Sequence, residues 1–222
     1  MTKVLIYVEG QTEEIFVRNV LGPHLAARGV YLEPTLAVTK RTKQGKHFKG
    51  GVTSYAKTKR DILRLLNDRS AALVTTMIDF YALPKDFPGQ GDLPSSSPYQ
   101  RVEHLEAAFA KDIGHRRFWP FFMLHEFEAL LLTRPEVIGQ AIPSATLKET
   151  ETFMRELRGR APEEINEGRK THPAARIQSH FPSYNKKIDG PRIVERIGLE
   201  AIREKCQHFA HWLARLEGLG DE

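Results

Sequence analysis

An apolar run near the amino terminus leads directly into a cluster of acidic residues. Residues 4–8 are Val-Leu-Ile-Tyr-Val, and the next six residues are Glu-Gly-Gln-Thr-Glu-Glu. A continuous run rich in β-branched side chains predicts a strand buried on both faces, as in a parallel sheet covered by helices. Gly10 permits a tight exit from this strand, and Thr12 is a candidate N-cap for a helix whose first turn carries Glu13 and Glu14. The chain is therefore expected to fold around a parallel sheet with acid at the end of its first strand.

Strand and helix patterns alternate through the first 134 residues. Three more strands are predicted, at 30–38, 72–80 and 118–124, and helices at 13–28, 53–68, 99–113 and 125–132. This order predicts an α/β fold, a mostly parallel sheet of about four strands flanked by helices. Residues 135–222 have helical patterns, including a last helix at 199–216, and no obvious strand. We therefore predict two units, an α/β domain at 1–134 and a helical C-terminal region at 135–222 packed on it.

Composition excludes several classes of protein. A single cysteine, Cys206, rules out an intrachain disulfide and a cysteine-rich zinc site. The first apolar stretch ends at Glu9, which is too short for a signal peptide or a membrane span, so we expect a cytoplasmic protein without membrane association. The sequence contains neither a GxxxxGK loop for ATP nor the HExxH and GxSxG motifs of zinc proteases and α/β-hydrolases. A net charge of +5 is compatible with a polyanionic partner but does not establish one.

Acidic residues follow three of the predicted strands. Because the carboxyl ends of parallel strands share one edge of a sheet, these side chains are expected to converge there. Clustered carboxylates repel one another unless a cation neutralises them, and hard oxygen ligands favour Mg²⁺ or Mn²⁺. The candidate metal ligands are Glu9, Glu13, Asp79, Glu126 and Glu128. Structural alternatives exist, since Glu13 suits a helix N-terminus and Glu126 and Glu128 could form salt bridges at a helix start.

These segments carry a resemblance to a known fold. A strand followed by VEGQTE, and then a strand ending in Asp79, resembles the TOPRIM domain, the metal-binding fold of topoisomerases, primases and the overcoming-lysogenization-defect (OLD) nucleases. The TOPRIM resemblance covers residues 3–133. The segments VEGQTEE, IDFYALP and HEFEALL also resemble a bacterial family of unknown function, and that resemblance spans nearly the whole chain.

The resemblance implies roles for individual residues. It implies that Glu9 is a metal ligand or general acid/base, and that Glu13 matches a further glutamate that binds a second metal in OLD-like members. Asp79 matches the first aspartate of an Asp-x-Asp pair, but Tyr81 occupies the place of the second. The missing carboxylate is expected from one of three other positions: Asp86, Glu126 and Glu128.

Ligand chemistry leads to a functional hypothesis. Two divalent ions about 4 Å apart can activate a water molecule and stabilise the leaving oxygen of a phosphodiester. We therefore predict a Mg²⁺- or Mn²⁺-dependent nuclease whose catalytic residues are Glu9, Glu13 and Asp79, acting on DNA or RNA and forming a homo-oligomer as one option. The resemblance further implies a role in anti-phage defence beside a separately encoded ATPase. The alternative, favoured by Tyr81, is a non-catalytic module that binds nucleic acid or the ATPase.

Basic residues supply candidate contacts to phosphate. A loop after the second predicted strand is rich in lysine, and its glycines allow close approach of the backbone. A late cation is expected near the transition state, as in OLD-like nucleases. The predicted nucleic-acid contacts are Lys43, Lys46, Lys49, Arg176 and Lys186. A solvated, charged loop without a partner is the alternative for the first three.

Overall fold

The structure is a computed structural model that describes residues 1–41, 47–49, 51–81, 83–165, 168 and 170–220. Side chains are described for these residues except at 38–41 and 47–49. The strands are β1 (Thr2–Val8), β2 (Val30–Leu36), β3 (Val38–Arg41), β4 (His47–Lys49), β5 (Leu73–Asp79), β6 (Phe118–Trp119) and β7 (Phe122–Met123).

Eleven α-helices are found in the described part of the chain. They are α1 (Gln11–Phe16), α2 (Gly22–Ala26), α3 (Tyr55–Leu66), α4 (Pro98–Ile113), α5 (Glu128–Leu131), α6 (Pro135–Ala141), α7 (Leu147–Leu157), α8 (Pro173–His180), α9 (Lys186–Ile197), α10 (Leu199–Lys205) and α11 (Gln207–Glu217). A π-helical turn at Val17–Leu21 joins α1 to α2, and 3₁₀ turns lie at Pro162–Glu164 and Gly218–Gly220. No helix among the described residues is long and apolar enough to cross a membrane.

The main sheet is parallel, which confirms the predicted fold class. Its strand order is β2-β1-β5-β6, and β7 pairs with β5 beyond the end of β6. Strands β3 and β4 form a separate antiparallel hairpin. The last residue of β1, Val8, pairs with Leu36 on one side and Met77 on the other, so three strands end at nearly the same level.

Several predicted boundaries were wrong. The strand predicted at 118–124 is two short strands, because Pro120 lacks an amide hydrogen and the Phe121 amide donates to the Thr76 hydroxyl, 2.8 Å away, rather than to a strand. The helix predicted at 199–216 is interrupted at Cys206, where the carboxylate of Glu163 accepts hydrogen bonds from the first amides of α11.

The first helix begins earlier than predicted. It starts at Gln11 with Gly10 at its N-cap, so Thr12 is not the cap but a buried residue inside the helix. A Cβ atom on Gly10 would lie 2.9 Å from Oε2 of Glu13, so a larger residue at this turn would displace the Glu13 carboxylate. The tight turn therefore brings the Glu13 carboxylate back against the end of β1.

Hydrophobic clusters cover both faces of the sheet. Alternate residues of β1 point to opposite faces: Val4, Ile6 and Val8 belong to one cluster, and Leu5 and Tyr7 to the other. The first cluster also contains Phe209 and other residues from α6 to α11, so the C-terminal helices cover that face. The division into two domains at residue 134 stays a prediction.

Candidate functional site

Two adjacent strands bring their acidic ends together. Glu9 follows β1, Asp79 ends β5, and Oε2 of Glu9 accepts a hydrogen bond from the Asp79 amide at 2.9 Å. Glu13, on the first turn of α1, is only 3% exposed and lines the same small cavity as these two residues. The cavity has a volume of about 200 Å³, and its other lining residues are Gly10, Gln11, Thr12, Gly51, Lys186 and Lys187.

A third stretch of the chain brings another carboxylate to this place. The Phe127 amide donates to Oδ1 of Asp79 at 3.0 Å, which fixes the start of α5 against the end of β5. Glu128 is fully buried, and it accepts hydrogen bonds from the Tyr184 hydroxyl at 3.2 Å and from Nζ of Lys186 at 2.8 Å. The acidic site, defined as Glu9, Glu13, Asp79 and Glu128, thus comes from three separate segments.

Lys186 supplies the positive charge among these carboxylates. It begins α9, and its Nζ lies 3.8 Å from Oδ2 of Asp79 as well as 2.8 Å from Glu128. Burial acts to lower the pKa of Lys186, but the charges of Asp79, Glu128 and Glu13 outweigh it and raise the pKa above its ordinary value. Lys186 is therefore a stable cation that neutralises only part of the site.

The carboxylates of the acidic site resist ionisation. Burial raises the pKa of Glu9, of Glu13 and of Glu128, although Lys186 acts in the opposite direction. The pKa of Asp79 is raised well above its ordinary range, first by burial and then by the charges of its acidic neighbours. Within the part of the chain that the structure describes, Lys186 is the one cation paired with these four carboxylates, so additional positive charge would stabilise their ionised forms.

The carboxylate oxygens of the acidic site are suitable ligands for a hard divalent cation, but their present positions do not form a coordination site. Carboxylate oxygens are the preferred ligands of Mg²⁺ and Mn²⁺. Within the described ranges, no three acidic, histidine or cysteine side chains stand in a geometry that could hold an ion. The carboxylates are instead arranged around Lys186 and two backbone amides, and chelation would require their side chains to turn.

Glu126 has different partners from Glu128. Its Oε1 accepts hydrogen bonds from Nδ1 of His172 at 2.7 Å and from the Ala174 amide at 2.6 Å, at the start of α8. The ring of Tyr81 stacks on His172, with the ring centroids 4.6 Å apart. Sequence reasoning missed His172, because no local pattern links it to a carboxylate 46 residues earlier.

Other predicted residues lie elsewhere. Asp86 accepts a hydrogen bond from the Tyr55 amide, at the start of α3. Arg176 is buried, and its guanidinium donates to the Thr171 carbonyl and to Glu156 rather than facing the cavity. Lys43 and Lys46 lie outside the described residues, and only the backbone of Lys49 is described.

The residues on either side of the β3–β4 hairpin are hydrogen-bonded to the chain at the end of β1. The Ala37 amide, just before β3, donates to the Val8 carbonyl at 2.9 Å. The Gly51 amide, just after β4, donates to the Glu9 carbonyl at 3.1 Å. Both ends of segment 38–50 are therefore tied to the carboxyl end of β1, beside the acidic site.

His125 forms the bend that directs Glu126 and Glu128 toward the sheet edge. Its backbone is left-handed, with φ of 68°, and its carbonyl accepts a hydrogen bond from the Tyr81 amide at 2.6 Å. The side chain is 3% exposed, and burial lowers the pKa of His125 to about 4. An unfolded histidine titrates near 6.5, so the folded protein binds fewer protons between these values.

This buried histidine predicts acid lability. Its contribution to stability is complete above pH 6.5 and is lost as the pH falls toward 4. Between pH 7 and pH 5, we expect the wild type to lose about 2 kcal/mol more unfolding free energy than His125→Asn, in which asparagine tolerates the left-handed backbone. Urea unfolding at each pH measures this difference. Parallel pH profiles for the two proteins would contradict the prediction.

Comparisons with known proteins identify a family without an assigned activity. The model of a domain of unknown function (DUF4276) matches residues 8–217. A comparison with curated proteins gave no match. Among solved structures, the C-terminal region of the OLD protein of Xanthomonas campestris pv. campestris is similar with a TM-score of 0.39 and 15% sequence identity, covering 96% of this chain and 97% of that chain. This similarity is too low to assign a function, and the TOPRIM resemblance stays a prediction.

Proposed function

This chain belongs to the DUF4276 family, and we propose that it is a Mg²⁺- or Mn²⁺-dependent nuclease that hydrolyses phosphodiester bonds of nucleic acid. One observation carries the proposal: four carboxylates from three segments meet at the carboxyl edge of a parallel sheet, and among the described side chains Lys186 is the one cation that forms an ion pair with them. Ligands bind at this edge in open α/β sheets. An excess of buried carboxyl groups in such a place is explained if a cation binds there during function and stabilises their ionised forms.

In this proposal the residues of the acidic site have two roles, cation binding and phosphate binding. Glu9, Glu13, Asp79 and Glu128 would hold the cation, with Glu126 as a further ligand. A bound divalent cation supplies Lewis-acid stabilisation of phosphoryl oxygens and a more acidic water molecule. Lys186, as a permanent cation at the cavity wall, would bind and orient a phosphate oxygen of the substrate.

The hairpin and α9 would bind the nucleic-acid backbone. In the sequence, Lys43, Lys46 and Lys49 lie between Ala37 and Gly51, whose amides are hydrogen-bonded to the carbonyls of Val8 and Glu9, and Lys187 is exposed at the cavity. Such contacts give affinity that is independent of sequence and falls with salt concentration. Partnership with a separately encoded ATPase in anti-phage defence is part of the proposal and rests on the sequence resemblance alone.

The proposal is tested by digestion of plasmid DNA and of single-stranded RNA by the purified chain. We expect cleavage with Mg²⁺ or Mn²⁺ and none with EDTA, since the carboxylates alone cannot activate water at the phosphodiester. Glu9→Gln, prepared identically, controls for contaminating nucleases. An inert wild type in both metals, also when its neighbouring ATPase is added, would reject the enzyme.

A non-catalytic module is the second candidate. It is favoured by Tyr81, which stands where a second aspartate would be and stacks on His172, and by the incomplete coordination site described above. This candidate predicts that nucleic acid is retained without cleavage, with equal affinity in Mn²⁺ and in EDTA. A gel-shift titration under both conditions separates it from the nuclease.

A further inference from the structure

Within the described part of the chain, one carboxylate oxygen of Glu126 accepts hydrogen bonds, and the other oxygen does not. Both hydrogen bonds described above, from His172 and from the Ala174 amide, end on Oε1. Among the described residues, Oε2 accepts no hydrogen bond, although Glu126 as a whole is only 6% exposed. Oε2 is not one of the fully buried polar atoms that lack a partner, so this oxygen stays accessible to a ligand.

Glu126 also lies within electrostatic reach of the acidic site. Besides burial, its charge raises the pKa of Glu128 and of Glu9. The next residue, Phe127, donates its amide to Asp79, which fixes Glu126 beside the end of β5. Capping of α8 would explain the Ala174 contact alone, but it does not explain the fixed His172 ring or the closeness of Glu126 to these carboxylates.

His172 is fixed from two directions. Its Nδ1 contacts Glu126 at 2.7 Å, and the face of its ring stacks on Tyr81 at 4.6 Å between centroids with an interplanar angle of 23°. Tyr81 follows Asp79 by two residues, and its amide is bonded to the His125 carbonyl at 2.6 Å. The bend that carries Glu126 and the ring that supports His172 are thus parts of one connected structure.

We propose that His172 is a positioning residue that orients the Glu126 carboxylate as a cation ligand, with Tyr81 supporting the histidine ring. The inference rests on the proposed function, since it identifies a residue that orients Glu126, one of the proposed cation ligands. Glu126 then supplies the carboxylate that Tyr81, in the place of a second aspartate, does not. Partners that orient a metal ligand commonly change metal affinity 10- to 100-fold when they are replaced.

Three variants test this role by the dissociation constant for Mn²⁺, measured by isothermal titration calorimetry on the folded chain. His172→Phe keeps a ring for Tyr81 but removes the donor, and is expected to weaken Mn²⁺ binding about 10- to 100-fold. His172→Asn keeps a donor near the position of Nδ1 and is expected to stay within about 3-fold of the wild type. His180→Phe is the matched control, because His180 ends the same helix and contacts Glu156 at 2.7 Å, away from the acidic site.

The outcomes separate this inference from the proposed function. No Mn²⁺ binding and no cleavage by the wild type would reject the proposed function itself. Mn²⁺ binding by the wild type with an unchanged constant for His172→Phe, or equal weakening for His180→Phe, would overturn only the role of His172. If His172→Phe does not fold, Tyr81→Leu is measured instead, with about 5-fold weaker binding expected and unchanged binding overturning the inference.

Discussion

Glu9→Gln is expected to reduce Mn²⁺-dependent cleavage about 1000-fold while leaving the folded protein at least as stable as the wild type in EDTA. The rate falls because the substitution removes a charged oxygen ligand, and a 1000-fold loss corresponds to about 4 kcal/mol of transition-state stabilisation. Stability is kept because glutamine still accepts the hydrogen bond from the Asp79 amide and no longer brings a buried charge beside other carboxylates. Initial cleavage rates and urea unfolding in EDTA measure the two quantities.

Glu14→Gln is the matched control for this experiment. Glu14 lies in the same segment, but it pairs with Arg18 at 3.0 Å on the surface of the helix. The control is expected to cleave at the wild-type rate, because an exposed pair of this kind contributes little. A Glu9→Gln protein with wild-type activity and reduced stability would show that Glu9 has a structural role and would remove the basis of the proposed chemistry.

The sequence predicted the sheet and the position of its acidic edge well. Buried parallel strands are continuous apolar runs, so β1 and β5 were recognisable, and the residues that follow them are adjacent in space because parallel strands end together. Glu9 and Asp79, 70 residues apart, are accordingly joined by one hydrogen bond. The helix start at Gln11 was missed because Thr12 is a favoured N-cap residue in sequence, whereas Gly10 occupies the N-cap without a side-chain hydrogen bond.

The surroundings of the site were less predictable. Lys186 was identified only as a cation that would contact substrate, whereas the structure places it among the carboxylates. Its position depends on the packing of α9 against α1, which joins parts of the chain separated by about 170 residues. The same reason applies to His172 and Glu126, whose contact depends on the placement of α8 rather than on any local periodicity.

Lys186→Met is expected to lower the free energy of unfolding in EDTA by about 3 kcal/mol, with Mn²⁺ restoring most of the loss. Removing one partner of a buried ion pair costs about 3–5 kcal/mol, and the lower value applies because the Lys186 side chain is 37% exposed. For a chain of this size, the melting temperature should fall by about 6–12 °C. Thermal unfolding in EDTA and in Mn²⁺ measures the difference, and the cation should rescue the variant because it neutralises the same carboxylates.

The pH dependence of this deficit gives a second, independent check. The pKa values of Glu13, Glu128 and Asp79 are raised by burial in the folded protein, so folding is favoured below the unfolded values and this benefit is lost as the pH rises through the folded values. The loss of stability caused by Lys186→Met in EDTA should therefore become smaller as the pH is lowered from 8 toward 5.

Lys187→Met is the matched control. It removes the same charge from the neighbouring, exposed position and should show neither the loss of stability nor its rescue by Mn²⁺. If the loss of stability in Lys186→Met changed with neither Mn²⁺ nor pH, the wild-type lysine would stabilise the site by the packing of its aliphatic stem rather than by its charge.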